Sequence, residues 1–228
     1  MPLFEILATE PTSLGLLCLR RREVLTEPGT IVTEITLDHE FLMSSLHTES
    51  ERALASRAIS MHGGDPLRVL VGGLGLGYTA HAALAFPQVS EVTVVEFLAP
   101  VIQWLGEGLV PLSAELNDEP RFSVCQGDVY DRLLGPAAET FDLILIDVDH
   151  SPDETLDHGP GRFYTREGLE AAQQHLAPGG VLGVWSYAEN SEFSNALRTT
   201  FSEVQVETIA FDNRFTEETS TDVLFLAR

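Results

Sequence analysis

The chain has 228 residues, 44% of them hydrophobic, and sets 35 acidic side chains against 13 basic ones for a formal net charge of −22. That length suits one large domain, or one with a small appendage, and the apolar content excludes a chain dominated by disorder. So acidic a surface repels phosphate backbones and anionic lipid and attracts cations, polyamines included, which argues against nucleic-acid and membrane partners, though it also simply aids solubility.

Two cysteines, Cys18 and Cys125, make no secreted-type disulfide framework. Both read as reduced thiols of a cytoplasmic protein, with Cys125 expected in the core because its run is apolar. The opening segment MPLFEILATEPTSLG carries Glu5 and Glu10 and lacks a basic start, so it does not read as a signal peptide. No apolar stretch approaches the roughly 20 residues of a membrane helix.

Residues 1–46 read as an N-terminal β hairpin or small sheet. Ile31, Thr33, Ile35 and Leu37 alternate with Val32, Glu34, Thr36 and Asp38, the period of a strand with one buried face. Residues 47–228 read as the nucleoside-binding domain. It opens on Thr48-Glu49-Ser50-Glu51, a capping box in which hydroxyl and carboxylate satisfy the first free amides of a helix. That helix is expected to run to about Met61 with Ala53, Leu54, Ala58 and Met61 buried, and His62-Gly63-Gly64-Asp65-Pro66 ends it.

Leu67–Val71 is a short apolar run, followed at once by a turn containing Gly72, Gly73, Gly75 and Gly77, and then by an alanine-rich helical segment over Tyr78–Phe86. Glycines turn tightly and let a ligand approach main-chain amides that a Cβ would shield. A second apolar run, Val92–Val95, ends in Glu96, about 20 residues past the turn, where a nucleotide-binding unit keeps the carboxylate that grips ribose hydroxyls. Strand, glycine turn, helix, second strand and terminal acid occur in the order that a nucleoside cradle requires.

Strand and helix continue to alternate. Pro100–Leu105 reads as helix, Arg121–Cys125 as the third strand, and Phe141–Asp147 as a central strand covered on both faces. Thr165–Leu176 reads as a helix stopped by Pro178-Gly179-Gly180, Val181–Trp185 as the fifth strand, and Asn190–Phe201 as helix. Val204–Phe211 and Asp222–Ala227 close the chain as an antiparallel pair. The expected fold is a doubly wound, Rossmann-like α/β sheet that binds ligands outside the carboxyl ends of its strands.

Glu96, Asp128 and Asp147 each follow a predicted strand and so should line one crevice with the glycine turn. Glu96 is assigned to ribose. Asp128 is assigned to an adenine amino group, with Val129 donating from its backbone. Asp147, Asp149 and His150 form the most polar cluster at any strand end and are the candidate catalytic groups. His150, with an unperturbed pKa of about 6.5, suits proton removal from an amine or hydroxyl, while Asp147 or Asp149 orients it or holds a cation. Without distant His or Cys partners the cluster does not read as a metal site.

These residues carry a resemblance to the spermidine synthases, the polyamine aminopropyltransferases, within the Rossmann-like S-adenosylmethionine-dependent methyltransferase folds. It covers nearly the whole chain: the N-terminal hairpin, Glu51 in the place of the last acid of a Tyr-His-Glu stretch, Val69–Gly77, Glu96, Gly127-Asp128, FDLILIDVD, and FYTREGLEAAQQHLAPGG. The resemblance implies an adenosyl sulfonium held by the glycine turn, Glu96 and Asp128. It also implies an acceptor held by acids near Asp147 and the N-terminal region, Glu51 among them. Apart from the resemblance, Tyr164 is a candidate for an aromatic wall on the acceptor side, and the N-terminal appendage, of a kind that commonly caps a site or pairs subunits, makes a homodimer a candidate assembly. The sequence departs from the family where Gly75 replaces an aspartate of the glycine loop, His150 the second acid of Asp-Ser-Ser-Asp, and Glu49 a tyrosine. Losing amine-holding positions favours methyl transfer from S-adenosylmethionine to a small nucleophile. The alternatives are aminopropyl transfer from decarboxylated S-adenosylmethionine to a polyamine, and a nucleoside-binding protein without catalysis.

Overall fold

A computed structural model describes residues 3–148, 160–213 and 218–228. Two sheets organise them. The first is antiparallel, in the order β1 (Phe4–Thr12), β2 (Gly15–Glu23), β3 (Ile31–Leu37), β4 (Glu40–Ser44), so the N-terminal region is a four-stranded sheet. β3 is covered on both faces: Glu34, 1% exposed, receives Arg20 Nη2 at 2.9 Å and Arg22 Nη2 at 2.6 Å, pairs that offset the cost of burying its charge.

The second sheet has seven strands: β5 (Leu67–Gly72), β6 (Val89–Glu96), β7 (Phe122–Gln126), β8 (Phe141–Ile146), β9 (Leu176–Ser186), β10 (Val204–Asn213) and β11 (Glu218–Ala227). Its order is β10-β11-β9-β8-β5-β6-β7, with parallel pairing from β9 through β7 and antiparallel pairing at β11 and β10. The connections reverse direction between β5 and β8, the switch point where such sheets bind ligands.

Period-two alternation explains why the central strands read as continuous apolar runs. Val69, Val71, Leu143 and Leu145 face one core with α1 (Glu49–His62), α2 (Tyr78–Leu84), α3 (Ala99–Gly106) and α4 (Ser113–Asn117). Leu70, Ile144 and Ile146 face another with α5 (Val129–Leu134), α6 (Arg166–Gln173) and α7 (Ser191–Thr200). Each fully buried leucine or isoleucine in these layers contributes about 1.5–3 kcal/mol relative to exposure. Leu17, Leu19, Ile35 and Leu37 join the first core, so the N-terminal sheet and the larger sheet share one apolar layer. No helix among the described residues is long and apolar enough to cross a membrane.

Several expectations are corrected. The buried stripe of α1 is Leu54, Ala55, Ala58 and Ile59, with Ala53 and Met61 at its margin. Thr48 makes no side-chain cap, and Glu51 turns into the interior instead of back to the helix end, so the capping box does not form. Cys125 is exposed, on β7 at the edge of the sheet. α6 stops at Gln173 and β9 begins at Leu176, ahead of Pro178-Gly179-Gly180.

Candidate active site

The carboxyl ends of β5, β6, β7 and β8 open on a cavity of about 380 Å³, within the range of small-molecule sites. Gly73 and Gly75, Glu96, Asp128, Val129 and Asp147 all line it, so the structure brings together residues spread over about a third of the chain. Leu14, Ile35, Leu42 and Met43 of the N-terminal sheet close the other side. Gly72 and Gly77 do not line it; they end β5 and begin α2.

The glycine turn is shaped by a close approach. At Gly73, with φ +93°, a Cβ would sit 2.0 Å from the Asp147 carbonyl oxygen, so any side chain there pushes β5 and β8 apart. Glu96 ties the turn down from the other strand. Its Oε2 accepts from the Leu74 amide at 2.8 Å and its Oε1 from the Leu98 amide at 2.7 Å. Burial pushes its pKa up, while those amides, with Gly75 and Phe97, pull it down. Four backbone amides thus converge on a carboxylate that also lines the cavity.

Asp128 has a second task. It is the N-cap of α5, its Oδ1 accepting from Tyr130 N at 2.8 Å and Asp131 N at 3.3 Å, which sets its carboxylate and Val129 at the cavity wall. Tyr164 does not line either cavity. It is 8% exposed in the second core, and its hydroxyl meets that of Tyr130 at 2.8 Å, so its link to the site is indirect, through a residue that does line it. Burial pushes the Tyr164 phenol up to about 12. Asp149 and His150 lie outside the described residues.

A smaller cavity of about 40 Å³ adjoins the first, lined by Met43, Ser44, Glu51, Leu74, Gly75, Leu76, Tyr78 and Asp147. Its chemistry is acidic. Asp147 Oδ2 accepts from the Thr79 hydroxyl, and Glu51 Oε2 accepts from Ser50 Oγ at 3.0 Å. Burial lifts Glu51 to about 8, helped by the charges of Asp147 and Asp222 and opposed by hydrogen bonds to its own backbone and Ser50. Burial lifts Asp147 to about 6; the Thr79 bond opposes this, and Asp222 adds to it. Asp222, at the antiparallel end of the sheet on β11, is itself pushed up by burial, and the buried Nε1 of Trp185 lies beside it without good hydrogen-bond geometry. Desolvated carboxylates repelling one another are the environment a cation relieves.

Sequence reasoning passed over Asp222, Thr79, Trp185 in this role, and Met43. Asp222 comes from the strand that closes the sheet and reads there as the start of a strand; only the β11–β9 register, which pairs Val223 with Ser186, carries it beside Trp185. Among the described residues no group of His, Cys, Asp and Glu is arranged to hold a metal ion.

No protein-family model matches the chain. A polyamine aminopropyltransferase of Oceanobacillus iheyensis is 29% identical over 160 residues, covering 69% of this chain and 29% of that protein. Putrescine N-methyltransferase 2 of Nicotiana attenuata is 31% identical over 119 residues, 52% of this chain and 30% of that protein. A polyamine aminopropyltransferase of Nitrosomonas europaea is 32% identical over 122 residues, 53% of this chain and 35% of that protein. The matched segments thus span about a third of these relatives' length. Among solved structures, a spermidine synthase in complex with the transition-state analogue AdoDATO superposes with a TM-score of 0.76 at 19% identity, over 98% of this chain and 73% of that one. Spermidine synthase from Thermotoga maritima gives 0.74 at 18% identity, over 98% and 72%. The chain thus has the spermidine synthase fold over nearly its whole length, and its sequence is similar to both polyamine aminopropyltransferases and putrescine N-methyltransferases.

Proposed function

We propose that this protein transfers an alkyl group from an adenosyl sulfonium to an aliphatic amine, and that the donor is decarboxylated S-adenosylmethionine. The observation that carries this is the charge lining the joined cavities. Glu96, Asp128, Asp131 and Asp147 line the larger and Glu51 the smaller, and no Lys, Arg or His lines either among the described residues. An α-carboxylate on the donor would meet only like charge there, whereas a cationic donor tail and an ammonium acceptor are both compensated. The family acids missing from the sequence at Gly75 and His150 favoured methyl transfer; Glu51, Asp147 and Asp222 offer compensating charge from other elements. The amine reading also agrees with the relatives' names, which speak of polyamine and putrescine.

The chemistry asked of the chain is limited. The acceptor arrives as an ammonium and must lose a proton before its nitrogen has a lone pair. Glu51, titrating near 8, suits taking that proton, and Asp147 holds the cation until it leaves. The nitrogen then attacks the carbon attached to sulfur; the C–N bond forms, the C–S bond breaks, and its electron pair stays on a neutral thioether. The leaving thioether needs no acid, so alignment of the two substrates across the shared wall supplies most of the acceleration.

Incubation of the protein and an aliphatic diamine with each donor, followed by mass spectrometry, tests this. Methylthioadenosine and an aminopropylated amine are expected with the decarboxylated donor. Adenosylhomocysteine and a methylated amine from the carboxylated donor would establish methyl transfer instead. Absence of product with both, together with tight nucleoside binding, would leave the non-catalytic reading.

A further inference from the structure

The two cavities meet at three residues that line both: Met43, Gly75 and Asp147. Anything passing from the nucleoside side to the acidic side must cross between them. Gly75 has no side chain, and a Cβ built on it would lie 2.7 Å from Met43 Sδ and 3.3 Å from Met43 Cε. The thioether of Met43 therefore fills the space that a side chain at position 75 would need.

The placement of Met43 has a local cause. β3 and β4 pair Ile35 with Met43 and Thr36 with Phe41, which leaves Leu42 as one extra residue on β4. Along a regular strand, consecutive side chains point to opposite faces; a bulge breaks that rule and re-aims one of them. Leu42 and Met43, adjacent in the chain, accordingly both line the larger cavity. The ceiling of the throat is thus built by the N-terminal sheet, while its floor is the glycine turn of the larger one.

We infer that Met43 is the donor-selecting residue, its side chain setting the length and width of the S-alkyl group that the nucleoside can carry into the acidic cavity. The inference rests on the adenosyl-sulfonium reading above and adds a residue to it. A flexible, unbranched thioether suits this position: it packs against a short aliphatic tail and resists a bulky one. Met43 gives the throat its apolar side opposite Asp147, so the tail's carbons meet Met43 while its far end reaches Glu51 in the smaller cavity.

The test is calorimetric titration of wild type, Met43→Ala and Met43→Leu with methylthioadenosine and with S-hexylthioadenosine, after circular dichroism confirms that each variant is folded. The readout is the ratio of the two affinities, which a general loss of stability does not move. Wild type and Met43→Leu should prefer the short tail, and Met43→Ala should shift the ratio toward the long tail by about tenfold or more, about 1.4 kcal/mol. An equal ratio in wild type and Met43→Ala overturns the inference while leaving the nucleoside site intact. Failure of wild type to bind methylthioadenosine at all removes the nucleoside reading itself, and this inference with it.

Discussion

The hydroxyl of Thr79, in the first turn of α2, donates to the carboxylate of Asp147 just beyond β8, and so ties the helix after the glycine turn to the acid shared by both cavities. The bond favours the charged form of Asp147, which burial disfavours. Thr79→Val keeps the shape and removes the donor, so Asp147 should titrate above its present value of about 6. The acid limb of the rate–pH profile then moves to higher pH by about one unit, about 1.4 kcal/mol. A profile that does not move would separate Asp147 from the proton economy of the reaction.

Glu96 should act on nucleoside and fold together. Glu96→Ala leaves the Leu74 and Leu98 amides without their carboxylate and should lower stability by about 1–3 kcal/mol, because the buried Leu74 amide and the part-buried Leu98 amide each lose their partner. Affinity for methylthioadenosine should fall by more than tenfold (about 1.4 kcal/mol). Chemical denaturation and titration calorimetry measure the two separately, and intact affinity would remove Glu96 from the ribose site.

Glu51 predicts a pH dependence of stability whose sign is unusual for an acid. Its folded pKa of about 8 lies above the ordinary 4.5, so the folded state holds the proton more tightly than the unfolded chain does. Its contribution is therefore intact below about pH 4.5 and declines as pH rises toward 8. Thermal unfolding of the ligand-free protein should show Tm dropping across that interval, with a shallower slope in Glu51→Gln. A saturating diamine should flatten the wild-type slope, since a bound cation stabilises the carboxylate. Parallel slopes in wild type and Glu51→Gln would mean that Glu51 is not the group responsible.

Asp222→Asn removes a charge that raises both Glu51 and Asp147. Both carboxyls should then titrate lower, so the acid limb of the rate profile moves down in pH. Diamine affinity should fall by about tenfold, about 1.4 kcal/mol, with a much smaller effect on methylthioadenosine, since Asp222 lines neither cavity directly. If both ligands weaken equally, Asp222 is holding β11 in place and not the amine.

The glycine-turn side of the larger cavity was legible in the sequence because it is local. Gly73, Gly75 and Glu96 belong to one strand–turn–helix–strand unit, and the short distances from Glu96 to the Leu74 and Leu98 amides follow from that unit's own geometry. Phe141–Ile146 was legible as a doubly covered strand for a similar reason, since burial on both faces removes the polar alternation. The acceptor side was much less so. Tyr164 has the composition of a site residue, yet it packs into the second core and touches the cavity only through the Tyr130 hydroxyl. Glu51 fits a capping box equally well on paper, and desolvation inside the fold, which no local pattern encodes, is what separates the two roles.

The chain's own pattern therefore settles the alternating α/β architecture, the glycine turn and the position of Glu96 at the end of β6, because each depends on residues within one unit of chain, where backbone geometry links spacing directly to direction. Only the tertiary structure brings Met43, from a bulged strand of the first sheet, to the wall between the two cavities, and Asp222, from the last strand of the second, close enough to raise Glu51 and Asp147. Their roles come from sheet register and shared burial, which sum the preferences of many distant residues and leave no mark at either position alone.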